Sequence, residues 1–259
     1  MDYASIIFEK REHIAKITLN RPDYRNALSL ELIGDVVSAL RDCNEDSDTH
    51  VVIIAGAGNS FCAGAKLDKV AAVSSIIDAR EYFGKVCSVY KAVLNAGKTT
   101  IASVQGYALA GGCGLATCCD LVIAADNARF GYPETNLAIP PSMVMVPLYQ
   151  LVGPRHANEL VLTGRQIDAH EAERIGLVNR VVPVDQLEAA TWELAREIAA
   201  KSPVVLQIIR EVARQVPFME AMKGLEYARE MTAIAATTED AKEGIASFFE
   251  KRKPVWKGR

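Results

Sequence analysis

The spacing of apolar and polar positions along this chain changes rhythm several times, and each change marks an element. Ser5 to Glu9 and Ile14 to Leu19 read as two strands around a short turn at Arg11–His13, hence a hairpin. Asn20-Arg21-Pro22-Asp23 then breaks the pattern. Ser29 is a good N-cap for a helix running to about Asn44, with Leu30, Ile33, Val36, Val37 and Leu40 on one face. Val51 to Ala55 is a continuous apolar run ending at Gly56, the signature of a strand buried on both faces. A loop follows from Gly56 to Gly64, then a helical stretch from about Ser74 to Leu94. Thr100 to Val104 is a strand, Gly106 to Gly112 a glycine-rich turn, Cys113 to Cys119 a helix and Asp120 to Ala124 a strand. Such alternation predicts a mainly parallel α/β core.

From about Met143 the pattern is mostly helical, punctuated by Gly153-Pro154, with one more short strand within Leu177 to Val182. Helical patterns then cover Asp185 to Lys201, Pro203 to Gln215, Pro217 to Thr237 and Glu239 to Glu250. No internal repeat and no low-complexity linker separates them. The chain therefore divides into a core over residues 1–199 and a C-terminal helical module over 200–259 that packs on the core or on a neighbouring subunit.

Composition narrows the function classes. Half of the 259 residues are apolar and the net charge is −3, so no bulk charge points to nucleic acid or an anionic membrane. The N-terminus lacks a basic segment followed by an apolar one, which argues against a signal peptide. The most apolar long stretch, Ile101 to Cys119, holds Gln105 and four glycines, unlike a membrane span. Six cysteines without C-x-x-C spacing read as reduced thiols of a cytoplasmic protein. Four histidines show no metal-ligand spacing, so no metal is expected.

Two loops carry the chemistry: Ser60-Phe61-Cys62-Ala63-Gly64-Ala65-Lys66-Leu67, and Gly106-Tyr107-Ala108-Leu109-Ala110-Gly111-Gly112-Cys113-Gly114. Neither binds nucleotides by pattern. Gly64 is followed by Ala65 and Lys66 by Leu67, which fails the G-x-x-x-x-G-K-[ST] phosphate loop. Gly56-Ala57-Gly58 begins a dinucleotide fingerprint, but Phe61 stands where its third glycine belongs. What remains is backbone. Small residues let a ligand approach closely. The N–H groups of Gly111 and Gly112 open a helix and suit an anion or a developing negative charge. Taken alone, such a helix start also serves simple close packing.

Together the motifs resemble the crotonase (enoyl-CoA hydratase/isomerase) family. Asn20-Arg21-Pro22 with Asn26-Ala27-Leu28, Phe61-Cys62-Ala63-Gly64-Ala65, Ala102 to Gly112, Cys119-Asp120 followed by Ala128 to Glu134, and Leu162-Thr163-Gly164 with Ala172 to Val178 occur in the family's order. The resemblance implies a spiral of ββα units with a C-terminal α-helical trimerisation module, assembled as a homotrimer or a dimer of trimers. It implies an acyl-CoA thioester substrate, with coenzyme A as part of the substrate and no separate cofactor. By position, the backbone N–H groups of Ala65 and Gly111 would form the oxyanion hole. Arg25, Ala27, Ala63, Lys66 and Leu67 would lie along CoA, with Phe248 and Lys251 as weaker candidates toward a neighbour's CoA. Glu134 would be the acid/base. Tyr132, Pro141 and Met143 would shape the acyl pocket.

The family's hydratases resemble one another in carrying two glutamates, and here the first of those positions is Gly114. Two carboxylates help a hydratase to activate and hold water. One suffices to take a proton from C2 and return it at C4. The resemblance with this departure favours double-bond isomerisation, with hydration by an unusual site as the alternative and a non-catalytic acyl-CoA-binding subunit as a remote one. Asp68, Glu81 or Tyr132 could replace the missing group if the fold brings one near. The Ala138-to-Met145 stretch, with its two prolines and two methionines, either starts a helix or shapes the acyl end of the pocket.

Overall fold

The structure, a computed structural model, describes residues 3–259. Strands β1 (Ile6–Arg11) and β2 (Ile14–Leu19) form the expected antiparallel hairpin. Its turn places Glu12 and His13 at positive φ. Beside β2 the strands β3 (Val51–Gly56), β4 (Thr99–Val104), β6 (Leu121–Ala125) and β9 (Arg180–Val182) continue the sheet in parallel, in the order β1-β2-β3-β4-β6-β9. Every residue of β3 and β4 is buried. Alternate side chains serve opposite layers, as the period of two requires. Val52, Ile54, Ala102 and Val104 join the main core, which holds α1 (Leu30–Glu45) and α3 (Ile76–Leu94). Val51, Ile53 and Ile101 face Leu187, Trp192 and Ala195 of α7 (Leu187–Ala199).

A second sheet runs through β5 (Tyr107–Leu109), β7 (Arg129–Gly131) and β8 (Gln166–Asp168). Single parallel bridges, Cys62 to Ala108 and Leu28 to Ala65, extend it toward the N-terminal loops. The chain thus passes from a strand of the large sheet to one of the small sheet and then into a helix. It does so from β4 through β5 to α4 (Gly111–Thr117), and from β6 through β7 to α5 (Ser142–Thr163). This is the spiral of ββα units.

Local differences from the sequence reading have simple causes. Ser29 caps α1 as expected, accepting from the Leu32 N–H at 3.2 Å; Leu30 is exposed, and the buried face runs through Leu32, Ile33, Val36, Ala39, Leu40 and Cys43. Ser75, not Ser74, caps α3. A short helix α2 (Leu67–Ala71) was not expected. The predicted glycine turn contains β5, and α4 starts at Gly111 rather than Cys113. Gly153, at φ 72°, kinks α5 where the Gly-Pro punctuation stands. Five cysteines are buried, and burial pushes the thiols of Cys43, Cys62, Cys113 and Cys118 up to about 12, so they stay protonated. Among the described residues, no helix is long and apolar enough to cross a membrane.

The chain closes with α6 (Ala169–Arg174), α7, α8 (Pro203–Gln215), α9 (Ala221–Thr237) and α10 (Glu239–Phe249). Arg210 of α8 ties this helical end to the sheet. Its Nε lies 2.6 Å from Asp120 Oδ2, and its guanidinium also donates to the Ala96 carbonyl. Asp120 in turn accepts from the Thr100 N–H at 2.7 Å and its hydroxyl at 2.9 Å. Removing one partner of a buried pair strands the other. Arg210→Met is expected to cost about 1–3 kcal/mol in urea unfolding, less than for a fully buried pair because Asp120 is exposed and keeps its bonds from Thr100. A loss below about 1 kcal/mol would mean that the pair does not anchor α8.

Candidate active site

The site is built where the two loops run against each other. The Phe61 N–H donates to the Gln105 carbonyl at 2.8 Å, and the Cys62 N–H to Tyr107 at 2.9 Å. The Leu109 N–H donates back to Cys62 at 3.0 Å. The backbones are close enough that a Cβ on Gly112 would lie 2.1 Å from the Cys62 carbonyl oxygen. One on Gly64, which has φ +95°, would lie 2.7 Å from the Ala110 methyl. Asn26 braces the first loop from below. Its buried amide donates to the carbonyls of Ala57 (2.9 Å) and Ser60 (2.8 Å) and accepts from the Arg21 N–H.

This approach brings Ala65 and Gly111 together. The Ala65 nitrogen is 3.7 Å from the point where a Gly111 Cβ would stand. Gly111 opens α4, so its N–H has no partner within the helix. Among the described residues, no turn or loop bond engages the Ala65 N–H. Ala110, the residue before Gly111, sits at φ 52°, ψ −128°. Alanine rarely adopts that conformation, and such strain costs of order 1–3 kcal/mol. The Ala110 N–H, bonded to the Gly131 carbonyl at 2.8 Å, helps hold it there.

Glu134 stands in the 3₁₀ turn Pro133–Leu137 that follows β7. The Thr135 hydroxyl, bonded to the Val161 carbonyl, fastens that turn. Glu134 Oε2 is buried without a hydrogen-bond partner, and burial raises the carboxyl above its ordinary value. It faces a cavity of about 420 Å³ that also meets Ala65 and Gly111. A larger cleft of about 950 Å³ near His13 and Trp256 lies away from both loops.

The cavity gathers most of the predicted residues. Ala27, Ala63, Lys66 and Leu67 line it near the first loop, and Pro141 and Met143 line it near the start of α5. Lys66 is held 3.3 Å from Asp68. One placement differs from expectation, that of Tyr132. Tyr132, which links β7 to the turn carrying Glu134, does not line the cavity: its side chain is fully buried in the main core. Arg25 is exposed, with its guanidinium 5.3 Å over the Tyr107 ring. It serves the site through its carbonyl, which accepts from the Ala63 N–H at 3.0 Å. Phe248 and Lys251 lie exposed at the end of α10, outside this cavity.

Gly114 is the informative position. A Cβ there would lie 2.1 Å from Val144 Cγ1 and 3.5 Å from Tyr90 Cε1, so apolar packing fills the place of a second carboxylate. Neither conjectured acidic substitute arrives. Asp68 pairs with Lys66, Glu81 pairs with Lys85 at 2.8 Å, and neither lines the cavity. Among the described residues, Glu134 is the single carboxylate on the wall. Val144 lies in the Ala138-to-Met145 stretch already expected at the acyl end of the pocket, whereas Phe83, Val86 and Tyr90 of α3 were not expected there. Their only signal was the apolar stripe of α3, which reads equally as core.

The model for the enoyl-CoA hydratase/isomerase family matches residues 9–259. The chain belongs to that family. Relatives include a probable enoyl-CoA hydratase of Mycobacterium tuberculosis, 39% identical over the full length of both chains. A crotonyl-CoA hydratase of Syntrophomonas wolfei is 36% identical over 98% of each. Among solved structures, an enoyl-CoA hydratase from Bacillus anthracis superposes with a TM-score of 0.95 at 36% identity, covering 99% of this chain and all of the other. Within the enoyl-CoA hydratase/isomerase family, the chain carries one carboxylate on its cavity wall among the described residues.

The packing at Gly114 makes a testable pair. Gly114→Glu alone is expected to lose about 1–3 kcal/mol by overpacking against Val144. Combined with Val144→Ala it should lose less than the sum of the single losses, by at least about 1 kcal/mol of coupling. Additive losses in urea titrations would show that the side chain escapes elsewhere.

Proposed function

We propose that this chain is an enoyl-CoA isomerase that moves a double bond from the 3 to the 2 position of an acyl-CoA. The observation that carries the reading is a single unpartnered carboxylate, among the described residues, in a mainly apolar cavity that also meets the backbone of Ala65 and Gly111. The thioester oxygen sits between the N–H groups of Ala65 and Gly111. Glu134 takes a proton from C2, and the electron pair of that C–H bond delocalises onto the thioester oxygen as a dienolate. Fixed donors stabilise this charge without reorganising. Glu134 then returns the proton at C4, leaving the double bond between C2 and C3. Among the described residues, the neighbouring wall of Pro141, Ser142, Met143 and Val144 carries no second carboxylate to activate a water. The enzyme is read as cytoplasmic and as a homotrimer or a pair of stacked trimers, with exposed Met222, Leu225, Phe248 and Phe249 on α9 and α10 as subunit contacts.

A second reading, hydration of a 2-enoyl-CoA, is favoured by the names of relatives at 36–39% identity. Glu134 would then hold the attacking water by itself. In D₂O, a 3-enoyl-CoA that becomes its 2-enoyl isomer without gaining the mass of water supports isomerisation. A 2-enoyl-CoA that gains a water, with the 3-enoyl substrate inert, supports hydration instead. Binding without turnover of either would mark a non-catalytic acyl-CoA subunit.

Glu134→Gln is expected to lower kcat by about 10²- to 10⁴-fold. The base works only when ionised, and burial raises its pKa. Activity should therefore climb with pH through a limb lying above the ordinary carboxylate range. The residual activity of the glutamine variant should lack that limb. Full activity in Glu134→Gln would remove this residue from the mechanism.

A further inference from the structure

One hydroxyl on the cavity wall has no part in the mechanism above. Tyr90 projects from α3 and is 5% exposed. A side-chain carbon built on Gly111 would lie 2.6 Å from the Tyr90 hydroxyl oxygen and 3.7 Å from the Ala65 nitrogen. One built on Gly114 would lie 3.5 Å from the ring carbon Cε1. The ring therefore spans the two positions of α4 that face the site, and its hydroxyl ends beside the oxyanion donors.

The hydroxyl is weakly engaged. It donates to the Gly111 carbonyl at 3.2 Å, long for an O–H donor, whose usual distance is about 2.7–2.8 Å. That carbonyl keeps its own place in the helical ladder of α4. A hydroxyl proton rotates freely, so it can turn to a better acceptor. A thioester oxygen gaining negative charge is such an acceptor, since bonds to ionised oxygens are roughly twice as strong as neutral ones. Burial, with a smaller effect from Glu134, raises the Tyr90 pKa, so the group stays a neutral donor. Lys66, the one cation on the wall, is held by Asp68.

We infer that the Tyr90 hydroxyl is a third hydrogen-bond donor of the oxyanion site, turning from the Gly111 carbonyl to the thioester oxygen of a bound acyl-CoA. The inference rests on the reading of the cavity as a thioester site. It does not depend on whether the enzyme isomerises or hydrates, because both reactions place charge on the same oxygen.

The test compares wild type, Tyr90→Phe and a protein with 3-fluorotyrosine at position 90, a stronger donor of nearly the same shape. The readouts are kcat and KM on the enoyl-CoA that wild type converts, and the C=O stretch of bound butyryl-CoA labelled with ¹³C at the carbonyl. Tyr90→Phe should lower kcat by about 10- to 100-fold with KM little changed. Its labelled band should move to higher frequency than in wild type. The fluorinated protein should move the band to lower frequency. If Tyr90→Phe leaves both kcat and the band at their wild-type values, the inference falls while the thioester site stands. A fluorinated protein whose band does not move down assigns Tyr90 a positioning role through Gly111 and overturns direct donation. If wild type neither binds butyryl-CoA nor converts any enoyl-CoA, the reading of the cavity fails first, and the inference with it.

Discussion

The site depends on one close contact between two stretches of backbone. Cys62 runs beside Tyr107 to Leu109, and Gly112 presses on the Cys62 carbonyl with no room for a methyl group between them. The two N–H groups proposed for the oxyanion site, those of Ala65 and Gly111, belong to successive turns of the spiral. They converge only because the small sheet stitches those turns together. The buried amide of Asn26 and the left-handed backbone at Gly64 serve the same contact from the first loop. On the other side, Ala110 accepts a strained conformation so that α4 can begin at Gly111. Stability elsewhere, in the fully buried β3 and β4, offsets that strain.

The apolar wall has two electrostatic effects with one cause. Removing water disfavours the ionised form of Glu134 and lifts its pKa. The same low polarisability strengthens any bond from an N–H to a charge formed inside. A base with a raised pKa and a hole suited to an enolate therefore have a common origin. A second carboxylate would push one pKa of the pair still higher, while its negative charge would disfavour an enolate formed beside it.

Much of this was legible in the sequence because it follows from the strongest local signals. Continuous apolar runs gave β3 and β4, and Ser29 and Gly153-Pro154 punctuated α1 and α5 where those residues stand. The paired small-residue loops located Ala65 and Gly111, since backbone chemistry leaves its trace in the absence of side chains. Other features depend on tertiary direction, which spacing does not encode. Tyr132 sits two residues before Glu134, yet it points into the core while Glu134 meets the cavity. Tyr90 and Val86 look like ordinary core positions of α3, and the fold alone turns one edge of that helix to the site. Gly114 was visibly unusual, but only the structure shows Val144 in the space beside it.

That last pairing bears on descent. Gly114 and Val144 lie thirty positions apart in the sequence but share one small volume. A lineage passing between a one-carboxylate and a two-carboxylate site meets an ordered path. Shrinking Val144 first opens a route to an acidic residue at 114, whereas the acidic residue arriving first meets a wall. Relatives on either side of this divide can then stay on their own side for steric reasons, even where selection on chemistry is weak.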